Sequence, residues 1–216
     1  MPNQLPEAPY PCPACSSPLY GWSAAHDPLD RGKQVVLDHC EVCGLVVTRA
    51  GDPPDADLEL APLLERLGDG RLELTVPNRR SIQAGLGGAQ WAGLEPELRR
   101  LHLTPDSLRR LLAARGFELA EVRTPYTKQS RSMMWQTLTN AFTLRDNFHR
   151  NAKLGLIPRA TGRERWAYRL DRVVSVLVAI PTLIVAYPLE AIAAALGRGG
   201  VIEASAERLP DPELVT

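Results

Sequence analysis

Apolar and polar residues alternate along several short stretches of the chain, and this pattern predicts β-strands. Two β-branched stretches near the N-terminus, "KQVVLDHC" at 33–40 and "GLVVTRA" at 44–50, predict the first strands. Three later stretches, at 72–76, 117–124 and 201–207, predict further strands. No internal repeat relates these stretches to one another.

Two other stretches carry apolar residues at helical spacing. The first helix is predicted at 58–67, and the Gly-Asp-Gly turn at 68–70 ends it. The second helix is predicted to begin with Thr104 as the N-cap and Pro105 at the first helical position, and Gly116 supplies its C-terminal stop. The apolar face of this second helix consists of Leu108, Leu111 and Leu112.

A long apolar stretch, "VVSVLVAIPTLIVAYPL", occupies residues 173–189 and contains no charge. As a helix its seventeen residues would cover about 25 Å, which is shorter than the hydrocarbon core of a bilayer at about 30 Å. Pro181 and Pro188 would kink the helix, and Glu190 interrupts the apolar stretch. A basic flank precedes it and consists of Arg159, Arg163, Arg165, Arg169 and Arg172.

Three placements of this apolar stretch are open. It forms a marginal transmembrane helix, a helix that lies in the membrane interface, or a helix buried against a small sheet. A spanning helix would carry the strand at 201–207 across the membrane, where that strand could not join the others. The spanning placement and the completed sheet therefore exclude each other.

Composition and charge bear on the partner and the compartment. The chain has 216 residues, enough for one domain or two small ones, and 25 basic residues balance 25 acidic residues. A net charge of zero gives no electrostatic case for nucleic acid as the main partner, so no nucleic-acid partner is predicted. Residues 1–18 are proline-rich and lack the apolar core of a signal peptide, which predicts a reducing cytoplasmic location.

All four cysteines lie near the N-terminus in two Cys-x-x-Cys turns that are 24 residues apart, at Cys12, Cys15, Cys40 and Cys43. This spacing predicts a four-thiolate zinc ribbon, and the alternatives of free surface thiols and a redox pair are less favoured. His26 and His39 would have to displace a better-spaced cysteine to act as ligands. Four thiolates leave no open coordination position, so the predicted zinc is structural.

Several motifs in the middle of the chain follow one another in a recognisable order. They are Pro77-Asn78, Ser81, the Gly-x-x-Trp at 88–91, His102-Leu103-Thr104-Pro105 and Gly116-Phe117. Together they resemble the C-terminal half of class I S-adenosylmethionine-dependent methyltransferases, in the bacterial branch that carries an N-terminal zinc ribbon. The resemblance covers residues 10–50 and about 60–125, with a weaker match at 197–207.

The resemblance implies an α+β protein in which a zinc ribbon at 8–50 precedes a truncated, Rossmann-like half-domain at 58–207. The half-domain would hold a small three-stranded sheet with helices, and its apolar helical insert would occupy 165–196. Residues 208–216 would form a flexible tail. Because such methyltransferases often carry an apolar helical insert before the last strand, buried or interfacial docking of the insert is favoured over spanning.

The cofactor-binding half of the resembled fold is missing. Only 24 residues separate Val47 from Leu72, whereas a βαβ unit alone takes about thirty. The glycines at 85–88 lie beyond the strand and are predicted to form a bend, not a nucleotide-binding turn. No catalytic and no cofactor-binding residue is therefore predicted.

The resemblance places three residues on the acceptor-substrate side, namely Asn78, Trp91 and His102. Structural roles compete with this one, since Trp91 also suits a core aromatic and His102 also suits a histidine without chemistry beside a helix start. The resemblance also implies that the strand at 72–76 sits mid-sheet. With its neighbours missing, that strand has an unpaired edge with apolar side chains, which a partner or a second copy is expected to cover.

Two functions follow as expectations. In the first, the chain is a methyltransferase-family protein that is inactive alone, and methyl transfer needs a partner that supplies the S-adenosylmethionine-binding half. In the second, it is a non-catalytic zinc-ribbon scaffold that contacts a membrane through 163–196. In either case the expected location is cytoplasmic, peripheral to or anchored in the inner face of the cell membrane.

Overall fold

The computed structural model describes residues 8–26, 34–50, 52–64, 71–96, 98–157 and 164–209. These residues form the following strands and helices in chain order: β1 (Tyr20–His26), β2 (Gln34–His39), β3 (Val46–Arg49), α1 (Ala56–Leu64), β4 (Arg71–Pro77), α2 (Ile82–Gly87), β5 (Leu101–His102), α3 (Pro105–Ala113), β6 (Phe117–Arg123), α4 (Lys128–Asn140), α5 (Phe148–Lys153), α6 (Glu164–Ala195) and β7 (Val201–Arg208).

The strands form two antiparallel sheets, one of four strands and one of three. The expected α+β class is therefore confirmed, whereas the relation to a Rossmann-like half-domain stays a prediction. The end of the predicted helix at 65–67, the turn at 68–70, Arg159, Arg163 and most of the expected tail lie outside the described residues.

The first sheet has the order β1-β2-β3-β5. Strands β2 and β3 match the two predicted N-terminal strands, while β1 and β5 have no counterpart in the sequence prediction. Strand β5 is only two residues long and joins β3 through the pairs Val46 with His102 and Val47 with Leu101. Because β5 comes from beyond α2, it fastens the cysteine-containing N-terminal segment to the rest of the protein.

The second sheet has the order β4-β7-β6. Strand β4 alternates cleanly, so that Leu72, Leu74 and Val76 are buried while Glu73 and Thr75 face solvent. An antiparallel sheet tolerates one solvated face, and this sheet has one.

Strand β4 pairs with β7 on one side and has no strand partner on the other side among the described residues. The apolar side chains of β4, however, point into the core and do not lie exposed at that edge, because the sheet packs its apolar face on α3.

One apolar core joins the two sheets. Val47 of the first sheet and Leu45 just before β3 belong to the same buried cluster as Leu72 and Ile202 of the second sheet and Leu111 of α3. Each such side chain contributes on the order of 1.5–3 kcal/mol when fully buried. The cysteine turns and the three-stranded sheet therefore form a single packed body.

Helix α3 begins where the sequence predicts. The hydroxyl oxygen of Thr104 accepts a hydrogen bond from the backbone N–H of Ser107, and the Ser107 side chain accepts one from the backbone N–H of Thr104. The Thr104 hydroxyl also donates to the carbonyl of Cys43 at 2.7 Å, so the helix start is bonded to the second cysteine turn. Gly116 has a φ of +76° and follows the helix as the expected stop.

Helix α6 is much longer than the predicted apolar stretch, with 32 residues at Glu164–Ala195. Pro181 and Pro188 lie inside it without ending it. In the turn before Pro181, the Trp135 indole N–H donates to the Ala179 carbonyl at 3.0 Å and the Thr182 hydroxyl donates to the Val178 carbonyl at 2.6 Å. Packing on α4 supports the helix through both prolines, and the helix covers nearly the same residues as the apolar helical insert expected at 165–196.

Candidate metal centre and adjoining buried sites

The four cysteines form a cluster in which all four sulfur atoms lie within 4.8 Å of one another. The Cys12 and Cys43 sulfurs are 3.6 Å apart, and the Cys15 and Cys40 sulfurs are 3.4 Å apart. Tetrahedral zinc with Zn–S bonds of about 2.3 Å places its sulfurs a little under 4 Å apart. The cluster can therefore hold a metal ion, and neither His26 nor His39 belongs to it among the described residues.

The two cysteine turns are built in the same way. The backbone N–H of Ser16 donates to the Cys12 carbonyl at 2.8 Å, and that of Gly44 donates to the Cys40 carbonyl at 2.9 Å. Ser16 and Gly44 also share a left-handed backbone, with φ values of 58° and 70°. A left-handed residue after each Cys-x-x-Cys turns the chain back and points amide groups toward the sulfurs.

The thiols of the cluster share their protons unequally. The hydrogen bond from Cys12 lowers the pKa of the Cys43 thiol to about 5, while the same contact raises the pKa of Cys12. Burial raises the pKa of Cys40. Since thiolates are the metal-binding form, a metal ion must displace the protons that remain on the cluster.

Asn78 is buried and uses its side chain to join backbone segments. Its amide N–H donates to the Gly199 carbonyl at 2.9 Å, and its side-chain oxygen accepts from the backbone N–H of Arg80 at 3.0 Å. These contacts fasten the end of β4 to the segment that precedes β7. The geometry gives Asn78 a structural role and leaves little of its side chain for a substrate.

Trp91 is also buried, at 2% exposure, and belongs to a polar network that sequence analysis missed. Its indole N–H donates to the Gln83 side-chain oxygen at 3.2 Å. Gln83 in turn donates to Glu190 at 2.9 Å and to the Ser130 carbonyl at 3.1 Å. The sequence signal for this network was Glu190, a lone carboxylate in an apolar helix, whose pKa is raised by burial.

His102 is buried beside the first sheet. Its Nε2 lies 2.8 Å from the Thr48 hydroxyl, and its Nδ1 has no hydrogen-bond partner among the described residues. Burial, reinforced by the charges of Arg99 and Arg79, lowers the pKa of His102 to about 3. The imidazole is therefore neutral near pH 7. It is a poor proton acceptor because protonation would place a positive charge in a buried site.

Two of the three predicted substrate residues share a cavity. Trp91 and His102 both line a space of about 330 Å³ that also contacts Thr75 and Val76 of β4. Asn78 does not line this cavity. The structure thus brings Trp91 and His102 together next to the open side of β4 and places Asn78 in the backbone contact described above.

Helix α6 has an inverted distribution of residues, in which small and polar side chains face the protein and large apolar side chains are exposed. Its protein-facing residues are small or polar and comprise Ala167, Asp171, Ser175, Thr182, Ala186, Glu190 and Ala193. Beyond the arginines at its start, α6 exposes many large apolar residues, namely Trp166, Leu170, Val173, Val176, Leu177, Ile180, Ile184, Val185 and Ile192, and Leu196 just after the helix end is also exposed. The segment Arg165–Ala195 is long and apolar enough to cross a membrane, and it contains an 18-residue window with a mean hydropathy of 2.0, of which 22% is buried.

Most polar residues on the buried side of α6 have hydrogen-bond partners in the protein, and the Ser175 hydroxyl is the exception among the described residues. Asp171 pairs with Arg145 at 3.2 Å and accepts from the backbone N–H of Leu144 at 2.6 Å. The Phe148 and Tyr168 rings meet edge to face with centroids 5.3 Å apart. Helix α6 is thus held to the protein near both of its ends, through Tyr168 and Asp171 at one end and Glu190 at the other.

Comparison of the chain with protein-family models, with curated proteins and with solved structures gives no match. The methyltransferase resemblance is therefore a prediction from the motifs alone, and the functional argument rests on the metal cluster, on α6 and on the open side of β4.

Proposed function

We propose that the protein is a zinc-stabilised binding protein that associates with the membrane surface and does not transfer methyl groups on its own. The observation that carries this proposal is the inverted α6, which turns small and polar residues toward the protein and large aliphatic residues outward. The surface of a soluble protein rarely exposes a continuous apolar patch of this size, so we expect lipid to contact the patch.

The contacts of α6 favour a helix that lies along the interface over one that spans the bilayer. The helix contacts the protein from Tyr168 to Glu190, and β7 begins at Val201, between β4 and β6. A helix so attached presents one apolar face to lipid while its other face stays on the domain. Arg165, Arg169 and Arg172 at its start supply the positive charge that anionic lipid headgroups attract.

The metal centre supports a binding function over catalysis. Four thiolates saturate a tetrahedral ion, so zinc held there has no position for water or substrate. It would stabilise a segment that buries little apolar surface of its own. In this proposal zinc stabilises the fold of the first sheet, and α6 contacts the membrane.

A vesicle sedimentation assay tests the proposal. The full chain should sediment with vesicles of phosphatidylcholine and phosphatidylglycerol, and the double variant Leu177→Glu/Ile180→Glu should bind at least about tenfold more weakly because two charges would enter the apolar interface. The matched control Leu98→Glu/Leu209→Glu places the same charges on exposed apolar residues outside α6. A wild-type chain that stays in the supernatant, or equal losses in both variants, contradicts membrane association.

A second function, that of one half of a split methyltransferase, is favoured by a separate observation. In the order β4-β7-β6, β4 has a neighbouring strand on one side only among the described residues, whereas the resemblance implies that this strand sits mid-sheet. A complementary half or a second copy would pair on its other side.

Calorimetry tests the split-enzyme proposal. The isolated chain should release no binding heat with S-adenosylmethionine, and a mixture with the complementary half should do so. A micromolar affinity of the isolated chain would contradict the missing-half argument. Heat from neither sample would leave the membrane function as the proposal that fits, since sedimentation does not depend on the cofactor.

A further inference from the structure

A groove of about 680 Å³ lies where the second cysteine turn, the end of β4 and the start of α3 meet. Its rim includes His39 at the end of β2, Glu41 from the second cysteine turn and Asp106 from α3. Four arginines also line it, namely Arg79, Arg80, Arg109 and Arg198. These arginines are far apart in the sequence, so no local pattern indicates that they share one surface.

The positive charge of this groove is only partly neutralised. Asp106 lies 3.7 Å from Arg109 and also pairs with Arg110 at 3.0 Å. Within the described ranges, Arg79, Arg80 and Arg198 have no carboxylate within ion-pair distance. Glu41 is the remaining acidic residue of the lining. The groove therefore carries more guanidinium charge than the carboxylates around it offset.

Arg79 is the most unusual of the four. Its guanidinium stacks over the Trp22 ring at 4.4 Å from the ring centroid, and its Nε is buried without a hydrogen-bond partner among the described residues. Burial lowers the pKa of Arg79, which reflects a cation that is held out of water without an anion beside it. A bound anion would offset the free-energy cost of burying this guanidinium charge.

The backbone around these arginines is fixed. The N–H of Arg79 donates to the Leu103 carbonyl at 2.8 Å, the N–H of Arg80 donates to the Asn78 side chain at 3.0 Å, and the carbonyl of Arg198 accepts from Ile82 at 3.1 Å. Groups held by the fold lose little conformational entropy when a ligand binds. The backbone of the groove is therefore in place before an anion binds, and binding orders only the exposed side chains such as those of Arg80 and Arg198.

We propose that this arginine groove binds a phosphoryl group. A phosphoryl group carries between one and two negative charges and several acceptor oxygens. These features suit guanidinium groups, which donate bidentate hydrogen bonds. The proposal is independent of the membrane contact of α6. Because Arg198 follows α6 closely in the chain, the phosphoryl group comes either from a phospholipid headgroup or from a soluble phosphorylated molecule.

Trp22 provides a direct readout, since it contacts Arg79. Titration of the full chain with pyrophosphate at constant ionic strength should produce a saturable change in tryptophan fluorescence, and Trp22→Phe should remove most of the signal. Arg80→Ala/Arg198→Ala should weaken binding at least about tenfold, as expected for the loss of two charged hydrogen-bonding partners. Both arginines are exposed, so the variant should fold, and thermal melting checks this.

The matched control is Arg71→Ala/Arg123→Ala, which removes the same charge from the solvated face of the second sheet. It should bind pyrophosphate as the wild type does. A wild-type chain without a saturable response, or equal weakening in both double variants, would overturn the proposal.

Vesicles identify the source of the phosphoryl group. If Arg80→Ala/Arg198→Ala weakens sedimentation with phosphatidylglycerol vesicles as well as pyrophosphate binding, the groove takes a lipid headgroup. If only pyrophosphate binding falls, the groove takes a soluble phosphorylated molecule. Both results support the site, and they are distinct from the effect of the α6 variants.

Discussion

The carboxylate of Glu190 accepts a hydrogen bond from the backbone N–H of Gly200 at 2.7 Å. Its second oxygen accepts from Gln83 at 2.9 Å, so the single carboxylate of the apolar part of α6 joins that helix to α2 and to the start of β7. A charge in an apolar helix would be costly if it lacked partners, and these donors explain why it is tolerated.

Gly200 should not tolerate a side chain. A Cβ there would lie 1.6 Å from the Gln83 amide nitrogen, so Gly200→Ala must displace Gln83 and break its bonds to Glu190 and Trp91. We expect a loss of about 1–3 kcal/mol in the free energy of unfolding, measured by urea denaturation. Gly85→Ala is the control because nothing lies within 4 Å of its Cβ, and it should be neutral or slightly stabilising.

The buried ion pair of α6 should contribute far more than an exposed pair. Asp171→Asn leaves the guanidinium of Arg145, which is 6% exposed, without a compensating charge. We expect a loss of about 3 kcal/mol in unfolding free energy, whereas Asp106→Asn, which removes exposed pairs with Arg109 and Arg110, should cost less than about 1 kcal/mol. Similar losses in the two variants would contradict the burial of Asp171.

Stability should fall as the pH falls below neutrality because His102 stays neutral in the folded protein. Its pKa is about 3 in the fold against 6.5 for an ordinary histidine, so the unfolded chain binds the extra proton first. Between about pH 7.5 and 5.5 this should remove about 1.4 kcal/mol of unfolding free energy. In His102→Gln that part of the pH dependence should disappear, while exposed His26→Gln should retain it.

Zinc content should depend on the cysteine turns. Cys43→Ser should lose bound zinc and the fold of the first sheet, because three thiolates and a hydroxyl hold the ion weakly. Elemental analysis and circular dichroism measure the two effects. Val42→Ser changes an exposed neighbour in the same turn and should retain the metal. Full zinc content in Cys43→Ser would argue against the four-thiolate centre.

Local signals allowed part of this structure to be predicted. The sequence around Thr104 predicted the start of α3 because a helix cap is set within a few residues. The four cysteines were predicted to come together because two Cys-x-x-Cys turns are typical of one four-thiolate site. Alternation predicted β4, β6 and β7 for the same reason.

Long-range contacts could not be predicted in this way. The bond between His102 and Thr48 needs β5 beside β3, and the chain between them gives no pairing signal. The arginine groove likewise exists only because β4, α3 and the end of α6 meet. The packing of α6 on α4, which supports the helix through Pro181, is a contact of the same long-range kind.

The position of β7 has a consequence for the order of biosynthesis. This last strand lies between β4 and β6, which are both made earlier, so the sheet cannot close until the ribosome has passed Arg208. Helix α6 leaves the ribosome before that closure. Until then β4 and β6 lack the strand that joins them, and the open core exposes apolar surface that makes the intermediate prone to aggregation.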